Sequence, residues 1–213
     1  PMILTLGTEE NDIKDVRRLA QAGLHVSVGH TNGTYEQAAE GIANGVSMAT
    51  HLFNAMSPFE SREPGVVGAV LNTPIYTGII VDGMHSSFNS VNLVKKIKQD
   101  RLYIVTDAAT PMGTNMTEFY FGGFKVKVID GKCINEEGAL AGSNIDKASS
   151  VRNCTCCAGI SNDEALRMAT LYPARAAGRE LEIGAVQAGM IANLCIFDEN
   201  YTVVQSIFNG HKL

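Results

Sequence analysis

The sequence has no long apolar run, no basic segment and no even set of cysteines, and each absence excludes a class of protein. Its apolar runs are too short to span a bilayer and no signal peptide is recognisable, so no membrane is expected as a partner and the cytoplasm is the expected location. A formal charge of −5 argues against nucleic acid as the main partner. Five irregularly spaced cysteines do not form a disulfide framework, and the pair Cys154 and Cys157 lacks the second pair that a zinc site needs.

What the sequence does contain, over its first half, is a regular alternation of short apolar segments and amphipathic segments. Apolar strands that alternate with helices are typical of a parallel sheet covered on both faces, so we predict an α/β fold. We count about five strands, whereas a closed (β/α)₈ barrel needs eight. Since the chain also opens directly in an apolar run, we expect it to be part of a longer protein. Strands are predicted at 3–6, 24–28, 46–50, 75–81 and 102–106, and helices at 12–22, 34–43, 66–71 and 89–99.

Two details of the helices are explicit enough to test. In the helix over 89–99, Val91, Val94 and Ile97 are predicted to form the buried stripe, with Lys95, Lys96 and Lys98 outside. Further along the chain, Ser161 and Glu164 have the spacing of a capping box at the start of a helix.

The pattern changes after Pro111. Short alternating segments separated by Gly122-Gly123 and Asp130-Gly131 predict a β-excursion at about 117–140, and short strands recur in the tail. We therefore predict that residues 1–183 form the later strands and helices of a (β/α)₈ TIM-like barrel. Residues 184–213 are predicted to supply strands of a small β-sandwich subdomain.

Polar side chains follow four of the predicted strands, at the point where each strand ends. His30 and His51 follow consecutive strands, Asp82 and His85 follow the next strand, and Asp107 follows the last one. Because the carboxyl ends of barrel strands meet on the face that carries the active site, these groups are predicted to converge. Two histidines and an aspartate there indicate a metal-assisted hydrolytic site.

Each of these residues also has a simpler interpretation. A lone histidine is usually a surface residue or a hydrogen-bonded core residue, but two at successive strand ends favour metal ligation. Asp107 is the candidate general base and acid, the alternative being a carboxylate that caps the next loop. Asp82 is interpreted as support for the loop of His85.

Five short segments lie at the ends of the predicted strands or in the loops after them: Gly29-His30-Thr31-Asn32, 49–56, Arg62-Glu63-Pro64-Gly65, Asp82-Gly83-Met84-His85 and 105–108. Together these segments resemble the N-acetylglucosamine-6-phosphate deacetylases, a family within the amidohydrolase superfamily of metal-dependent barrel hydrolases. The block that points to the deacetylases is 51–56 together with 62–65. Residues 169–176 and 189–194 are similar to the C-terminal signature of the superfamily.

The resemblance implies hydrolysis of the N-acetyl group of N-acetylglucosamine 6-phosphate, with Asp107 as the catalytic acid and base. It implies one divalent metal ion on His30 and His51, namely Zn²⁺, with Fe²⁺ or another divalent ion as alternatives. Substrate binding would fall to Asn54, Ala55, Arg62 and His85. In the family the arginine reaches into a neighbouring subunit's site, which implies a homodimer. The resemblance also implies that the small-molecule partner is an amino-sugar phosphate.

The sequence departs from the family in two places. A His-x-Glu-Gly-Pro segment, whose glutamate is a further metal ligand in the family, is absent, so we expect an incomplete form of the enzyme. Residues 140–143 resemble the family's Leu-Ser-Gly-Ser stretch, but 144–147 differ from it, which leaves the contacts of this stretch open. Two competing functions stay open: another amidohydrolase acting on a cyclic amide or a deaminase substrate, and a non-catalytic fragment that binds a sugar phosphate.

Overall fold

A computed structural model describes residues 1–213, and its first half is one open parallel sheet with helices between the strands. The five strands lie in the order β1-β2-β3-β4-β5, and every neighbouring pair is parallel. The predicted α/β class and the predicted number of strands up to Asp107 are therefore confirmed. The elements are β1 (Ile3–Leu6), α1 (Ile13–Gln21), β2 (His25–Val28), α2 (Tyr35–Ala43), β3 (Val46–Ala49), α3 (Gly65–Leu71), β4 (Tyr76–Ile80), α4 (Phe88–Lys98) and β5 (Leu102–Val105).

The helices begin where the sequence supplies a polar cap. The Asp12 carboxylate accepts a hydrogen bond from the Lys14 backbone, and Thr34 and Gln37 form a reciprocal capping box at the start of α2. The core is a single cluster of 29 buried residues between the sheet and its helices. Because this cluster fixes the strands against the helices, it also fixes where each strand ends and hence where the polar side chains emerge.

The predicted burial pattern of α4 is wrong at two positions. Val91 and Val94 are buried as predicted, but Ile97 is 47% exposed and Lys98 only 4% exposed. The Lys98 Nζ donates hydrogen bonds to the carbonyl oxygens of Val70 and Thr73, at 2.9 and 2.6 Å. The last carbonyls of a helix need donors, and Lys98 supplies them to the end of α3. Burial, with a smaller effect of the nearby Arg101 charge, lowers the pKa of Lys98 to about 8.

Beyond β5 the chain forms a separate three-stranded antiparallel sheet and then returns to the parallel sheet. A parallel bridge between Ala108 and Ser143 marks the return. The new sheet packs around a small core of Phe119, Val126 and Cys133. Its strands are β6 (Glu118–Phe121), β7 (Phe124–Ile129) and β8 (Lys132–Asn135), with turns at the predicted Gly122-Gly123 and Asp130-Gly131.

Three helices and a small third sheet complete the chain. The predicted capping box is wrong, because the Ser161 side chain makes no cap hydrogen bond. The Glu164 carboxylate instead accepts hydrogen bonds from Lys95, Tyr172 and Arg167, at 2.5, 2.7 and 2.8 Å. The elements are α5 (Lys147–Cys156), α6 (Asn162–Ala169), α7 (Leu171–Ala176), β9 (Leu194–Phe197), β10 (Val203–Phe208) and β11 (His211–Lys212).

Strands β9 to β11 form a sheet of their own, whereas the predicted domain division at 183/184 stays a prediction. None of the helices has the length and apolar character needed to cross a membrane. All five cysteines are free thiols.

Candidate active site at the carboxyl ends of the parallel strands

His30 and His51 face each other across the ends of β2 and β3. Their Nε2 atoms lie 2.9 Å apart, and their rings meet edge to face with centroids separated by 4.7 Å. His30 is exposed, whereas His51 is only 5% exposed. Two histidines that follow different strands thus direct their Nε2 atoms at one point.

The surroundings of His51 favour its neutral form. Burial lowers the pKa of His51, and this effect outweighs the negative charge of Asp107, which acts in the opposite direction. The Nδ1 atom of the same ring is buried and has no hydrogen-bond partner in the chain. A neutral imidazole is the form that binds a metal ion, so the electrostatics suit ligation.

The two rings fit part of a metal site. Nitrogens 2.9 Å apart can both lie about 2.0–2.1 Å from one zinc-sized ion. A catalytic zinc site takes about three protein ligands, however, and no group of three or more His, Cys, Asp or Glu side chains is arranged to hold a metal. The chain therefore supplies two converging donors and does not complete the site alone.

The backbone is unusual at the same residues. His30, His51 and Asp107 have φ values of 49°, 29° and 51°, in the left-handed region that residues other than glycine seldom adopt. Each of the three follows a strand of the parallel sheet. Strained backbone of this kind is concentrated at functional sites, where the surrounding structure holds it.

Asp107 is exposed and lies on a backbone segment held by Ser143. The Ser143 amide donates to the Asp107 carbonyl at 2.8 Å, and the Ser143 hydroxyl donates to the Thr106 carbonyl at 2.5 Å. Gly142 allows this close approach, since a Cβ there would lie 3.1 Å from the Asp107 carbonyl oxygen. The sequence did not assign a role to Ser143, and the only signal was the partial resemblance at 140–143.

His51 and Asp107 line one cavity of about 220 Å³ on the inner face of the sheet. Beneath them, the hydroxyl of Thr50 exchanges hydrogen bonds with Thr5 at 2.8 Å and with Ser27 at 2.7 Å. A larger and more open depression on the surface of α1 is lined by none of the predicted site residues. The cavity under the strand ends therefore brings together two of the predicted groups, His51 and Asp107, whereas His30 and the predicted substrate-binding residues do not line it.

Asn54 and Ala55 lie in the loop that follows His51. The Asn54 side-chain amide donates to the carbonyls of His51 and Leu52, at 3.2 and 3.1 Å, so its donors serve the loop itself. The Ala55 carbonyl accepts a hydrogen bond from the Thr31 amide at 2.9 Å, whereas the Ala55 amide has no partner within the chain. The amides of Phe53 and Met56 also have no partner, but of these three residues only Ala55 is exposed, so its amide is the one best placed to donate to a ligand.

His85 is held by Asp82 at the end of β4. The ring Nδ1 lies 2.6 Å from one carboxylate oxygen of Asp82, and the other oxygen accepts hydrogen bonds from the amides of Met84 and His85. Burial raises the pKa of Asp82, but these hydrogen bonds outweigh it and lower the pKa overall. An ionised Asp82 must accept, so Nδ1 of His85 donates and Nε2 is left for another partner.

Arg62 is not brought to the histidines by any contact within the chain. It is exposed, on the loop that leads to α3, and its guanidinium makes no hydrogen bond or ion pair. An exposed loop arginine could simply form a local ion pair, but Arg62 forms none.

A family model for the amidohydrolases matches residues 6–213. The chain belongs to the amidohydrolase family. The parallel sheet and the convergence of polar groups at its strand ends agree with this membership.

Two curated relatives and one solved structure illustrate the similarity. The N-acetylglucosamine-6-phosphate deacetylase of Haemophilus influenzae is 43% identical over 210 residues, which are 97% of this chain and 55% of that protein. The N-acetylgalactosamine-6-phosphate deacetylase of a Shewanella species is 36% identical over 214 residues, covering 99% of this chain and 54% of that one. The crystal structure of N-acetylglucosamine-6-phosphate deacetylase from Pasteurella multocida matches with a TM-score of 0.97 at 43% identity, over 100% of this chain and 56% of that one.

The resemblance that the sequence suggested is confirmed by these comparisons. This amidohydrolase chain spans about half the length of the curated relatives it matches.

Proposed function

We propose that this chain carries the histidine pair and the acid–base residue of an enzyme that hydrolyses N-acetylglucosamine 6-phosphate to glucosamine 6-phosphate and acetate. The observation that carries the proposal is the pair of ring nitrogens 2.9 Å apart, with His51 and Asp107 lining one cavity. The similarity to deacetylases over nearly the whole chain supports the choice of substrate.

His30 and His51 would hold one divalent ion, for which we propose Zn²⁺, with Fe²⁺ as the alternative. When bound, such an ion polarises the amide carbonyl and acidifies the attacking water. A further ligand is required, and the glutamate expected from the family resemblance has no counterpart in these residues.

Asp107 would move the proton. Its carboxylate takes a proton from the attacking water as the water oxygen bonds to the acetyl carbon. The carbon–nitrogen bond then breaks, the proton passes from Asp107 to the amine nitrogen, and acetate leaves. The exposed position of Asp107, on a loop fixed by Ser143, suits a group that must reach both atoms.

Three groups would hold the sugar phosphate. Near the strand ends, the free amide of Ala55 is a donor and Nε2 of the neutral His85 ring is an acceptor for a sugar hydroxyl. Asn54 would act by folding the loop that presents Ala55. Arg62 has no partner within its own chain, and its planar fork suits a phosphate group. We propose that it reaches the site of a second subunit in a homodimer.

The free thiols agree with a reducing compartment such as the cytoplasm.

N-acetylgalactosamine 6-phosphate is a second candidate substrate, because the Shewanella relative is named for it. The two sugars differ only at one hydroxyl, so both belong in the same assay. Hydrolysis of a cyclic amide, deamination and non-catalytic binding of a sugar phosphate are the competing functions that the assay must separate from deacetylation.

The test is acetate release with added Zn²⁺ from both acetamido-sugar phosphates and from unphosphorylated N-acetylglucosamine. Two proteins are assayed: the chain alone, and the chain joined to the part of the Haemophilus influenzae enzyme that lies outside the match. The His51→Asn variant of each is the control. We expect release only from a phosphorylated sugar and only with His51 present. If neither protein releases acetate from either phosphate, the proposed substrate class is wrong, and the wider range of amidohydrolase substrates is screened next.

A further inference from the structure

Glu9 lies beyond β1, outside the groups that bind or transform the substrate in the proposed function. One of its carboxylate oxygens accepts a hydrogen bond from the Thr31 hydroxyl, and the other accepts one from the Asn32 amide at 2.7 Å. The Gly33 amide donates to the Thr31 hydroxyl oxygen at 3.2 Å, and it also helps to lower the pKa of the carboxylate. The two residues immediately after His30 are therefore bound by one carboxylate from a neighbouring strand end.

This contact continues from the loop of His30 to the loop of His51. The Thr31 amide donates to the Ala55 carbonyl at 2.9 Å, and the Ser57 amide donates to the Thr31 carbonyl at 3.1 Å. Thr31 is only 4% exposed, so these bonds are shielded from water. Through Thr31, Glu9 is linked to the loops that carry both histidines.

The space around the carboxylate is closely fitted. A Cβ on Gly33 or on Gly7 would lie 3.0 Å from the same Glu9 oxygen. Burial raises the pKa of Glu9, but the hydrogen bonds from Thr31 and from the backbone outweigh it and lower the pKa. The group is thus ionised at neutral pH and able only to accept, which is what its two donor partners, Thr31 and Asn32, require.

We propose that Glu9 is a positioning residue that holds His30 in its left-handed backbone conformation and so orients the His30–His51 pair. Apart from the ring contact with His51, His30 itself makes no hydrogen bond that would hold its φ at 49°, and its side chain is exposed. Groups that orient metal-binding histidines commonly change metal affinity by about 10- to 100-fold when they are removed. The metal part of this inference rests on the proposed function, whereas the orientation of the rings does not.

The experiment compares Glu9→Ala, Glu9→Gln and Thr31→Val with Glu10→Ala in the full chain. Glu10 is the matched control, since it has the same side chain and is exposed, and its carboxylate accepts no hydrogen bond. The first readout is the NMR resonances of the His30 and His51 rings without metal, together with hydrogen exchange of the Asn32 amide. The second is Zn²⁺ affinity, measured by competition with a chelator.

We expect Glu9→Ala to shift both ring resonances, to speed Asn32 exchange at least tenfold and to weaken Zn²⁺ binding about tenfold or more. Glu9→Gln, which keeps one acceptor, should lie between Glu9→Ala and the native chain, and Glu10→Ala should match the native chain. Thr31→Val combined with Glu9→Gln should change affinity by less than the product of the single effects, because both break one link.

Native ring resonances and native Asn32 exchange in Glu9→Ala or Glu9→Gln would overturn the inference. The two proposals separate cleanly. A native chain that binds no Zn²⁺, while Glu9→Ala still shifts the rings, contradicts the metal site and upholds the role of Glu9. If the native chain and Glu9→Ala both bind Zn²⁺ with the same affinity, and the ring resonances are the same in both, the metal site is upheld and Glu9 has no part in it.

Discussion

His30 and His51 direct their Nε2 atoms at each other over 2.9 Å, although each follows a different strand and helix α2 lies between them in sequence. Without a metal ion, one ring must donate to the other, because two protonated rings this close would repel. The pair is thus a preformed arrangement of two potential metal-binding nitrogens on separate loops. Its cost in backbone strain is consistent with a site that must be ready before a ligand arrives.

The first prediction concerns stabilisation by metal. Added Zn²⁺ should raise the unfolding temperature of the chain, since an ion that binds only the folded state stabilises it. At about 100 times the dissociation constant the gain is about 2.7 kcal/mol, or roughly 5–10 °C for a domain of this size. His51→Asn should abolish the shift, and asparagine tolerates the left-handed backbone at this position.

Calorimetry with and without Zn²⁺ checks this prediction, and His211→Asn is its control, because His211 lies exposed on β11. A shift of the same size in His51→Asn would mean that Zn²⁺ binds elsewhere.

The second prediction separates proton transfer from metal binding. Asp107→Asn should lower kcat by about 10²- to 10⁴-fold in whichever form of the protein releases acetate, because the amide cannot take a proton. The stabilisation by Zn²⁺ should persist. Asp130→Asn is the matched control, since Asp130 has a left-handed φ of 49° close to the 51° of Asp107 but lies in the turn between β7 and β8. A kcat within threefold of the native value in Asp107→Asn would exclude the proposed acid–base role.

The third prediction concerns the phosphate. Arg62→Ala should raise KM about 10- to 100-fold with little change in kcat, since a charge-assisted hydrogen bond of about 1.5–3 kcal/mol is lost. Arg152→Ala is the control, because Arg152 is also exposed and unpaired but lies on α5. Unphosphorylated N-acetylglucosamine lacks the group that Arg62 would bind, so its affinity, measured by competition with the phosphorylated substrate, should be the same for the native protein and for Arg62→Ala.

The proposed dimer gives the same residue a sharper test. Arg62→Ala and His51→Asn subunits, mixed and allowed to exchange, should recover about a quarter of native activity at low substrate, because half of the dimers are mixed and each then has one intact site. No recovery, in a mixture whose subunits demonstrably exchange, would place Arg62 in the site of its own chain.

Local patterns were sufficient to predict the strands and where the candidate site residues lie relative to them, whereas the roles of those residues stay predictions. The period of apolar residues marks β1 to β8 to within a residue or two, and His30, His51 and Asp107 follow directly from the strand ends. Long-range contacts could not be predicted in this way. Lys98 is buried because it can donate a hydrogen bond to the Val70 carbonyl of α3. The Glu164 carboxylate accepts hydrogen bonds from Lys95 and Tyr172 and does not take part in the predicted capping box.

Supporting residues were missed for the same reason. Glu9 and Ser143 act on loops that lie 22 or more positions away in sequence, and neither belongs to a periodic pattern. A single sequence identifies the groups that end a strand, but not the groups that hold them in place.

The last prediction uses the Glu164 network, which joins α4, α6 and α7 and lies apart from the proposed site. Burial raises the pKa of Glu164, but hydrogen bonds from Lys95, Tyr172 and Arg167 outweigh it and hold the pKa at about 2, against an ordinary value of 4.5. A carboxyl whose pKa is lower in the folded state stabilises the fold above the unfolded pKa. That stabilisation is lost as pH falls from about 4.5 to about 2.

Glu164→Gln should therefore lower the free energy of unfolding at pH 7 by about 2 kcal/mol, a figure that allows for solvent screening of a side chain that is 24% exposed. The difference from the native chain should shrink below pH 4.5 and nearly vanish at about pH 2. Urea unfolding at a series of pH values measures it, and Glu199→Gln is the control, because Glu199 is exposed and makes no hydrogen bond or ion pair through its side chain. A difference that stays constant from pH 7 to pH 2 would mean that packing of the side chain, and not its charge, joins the three helices.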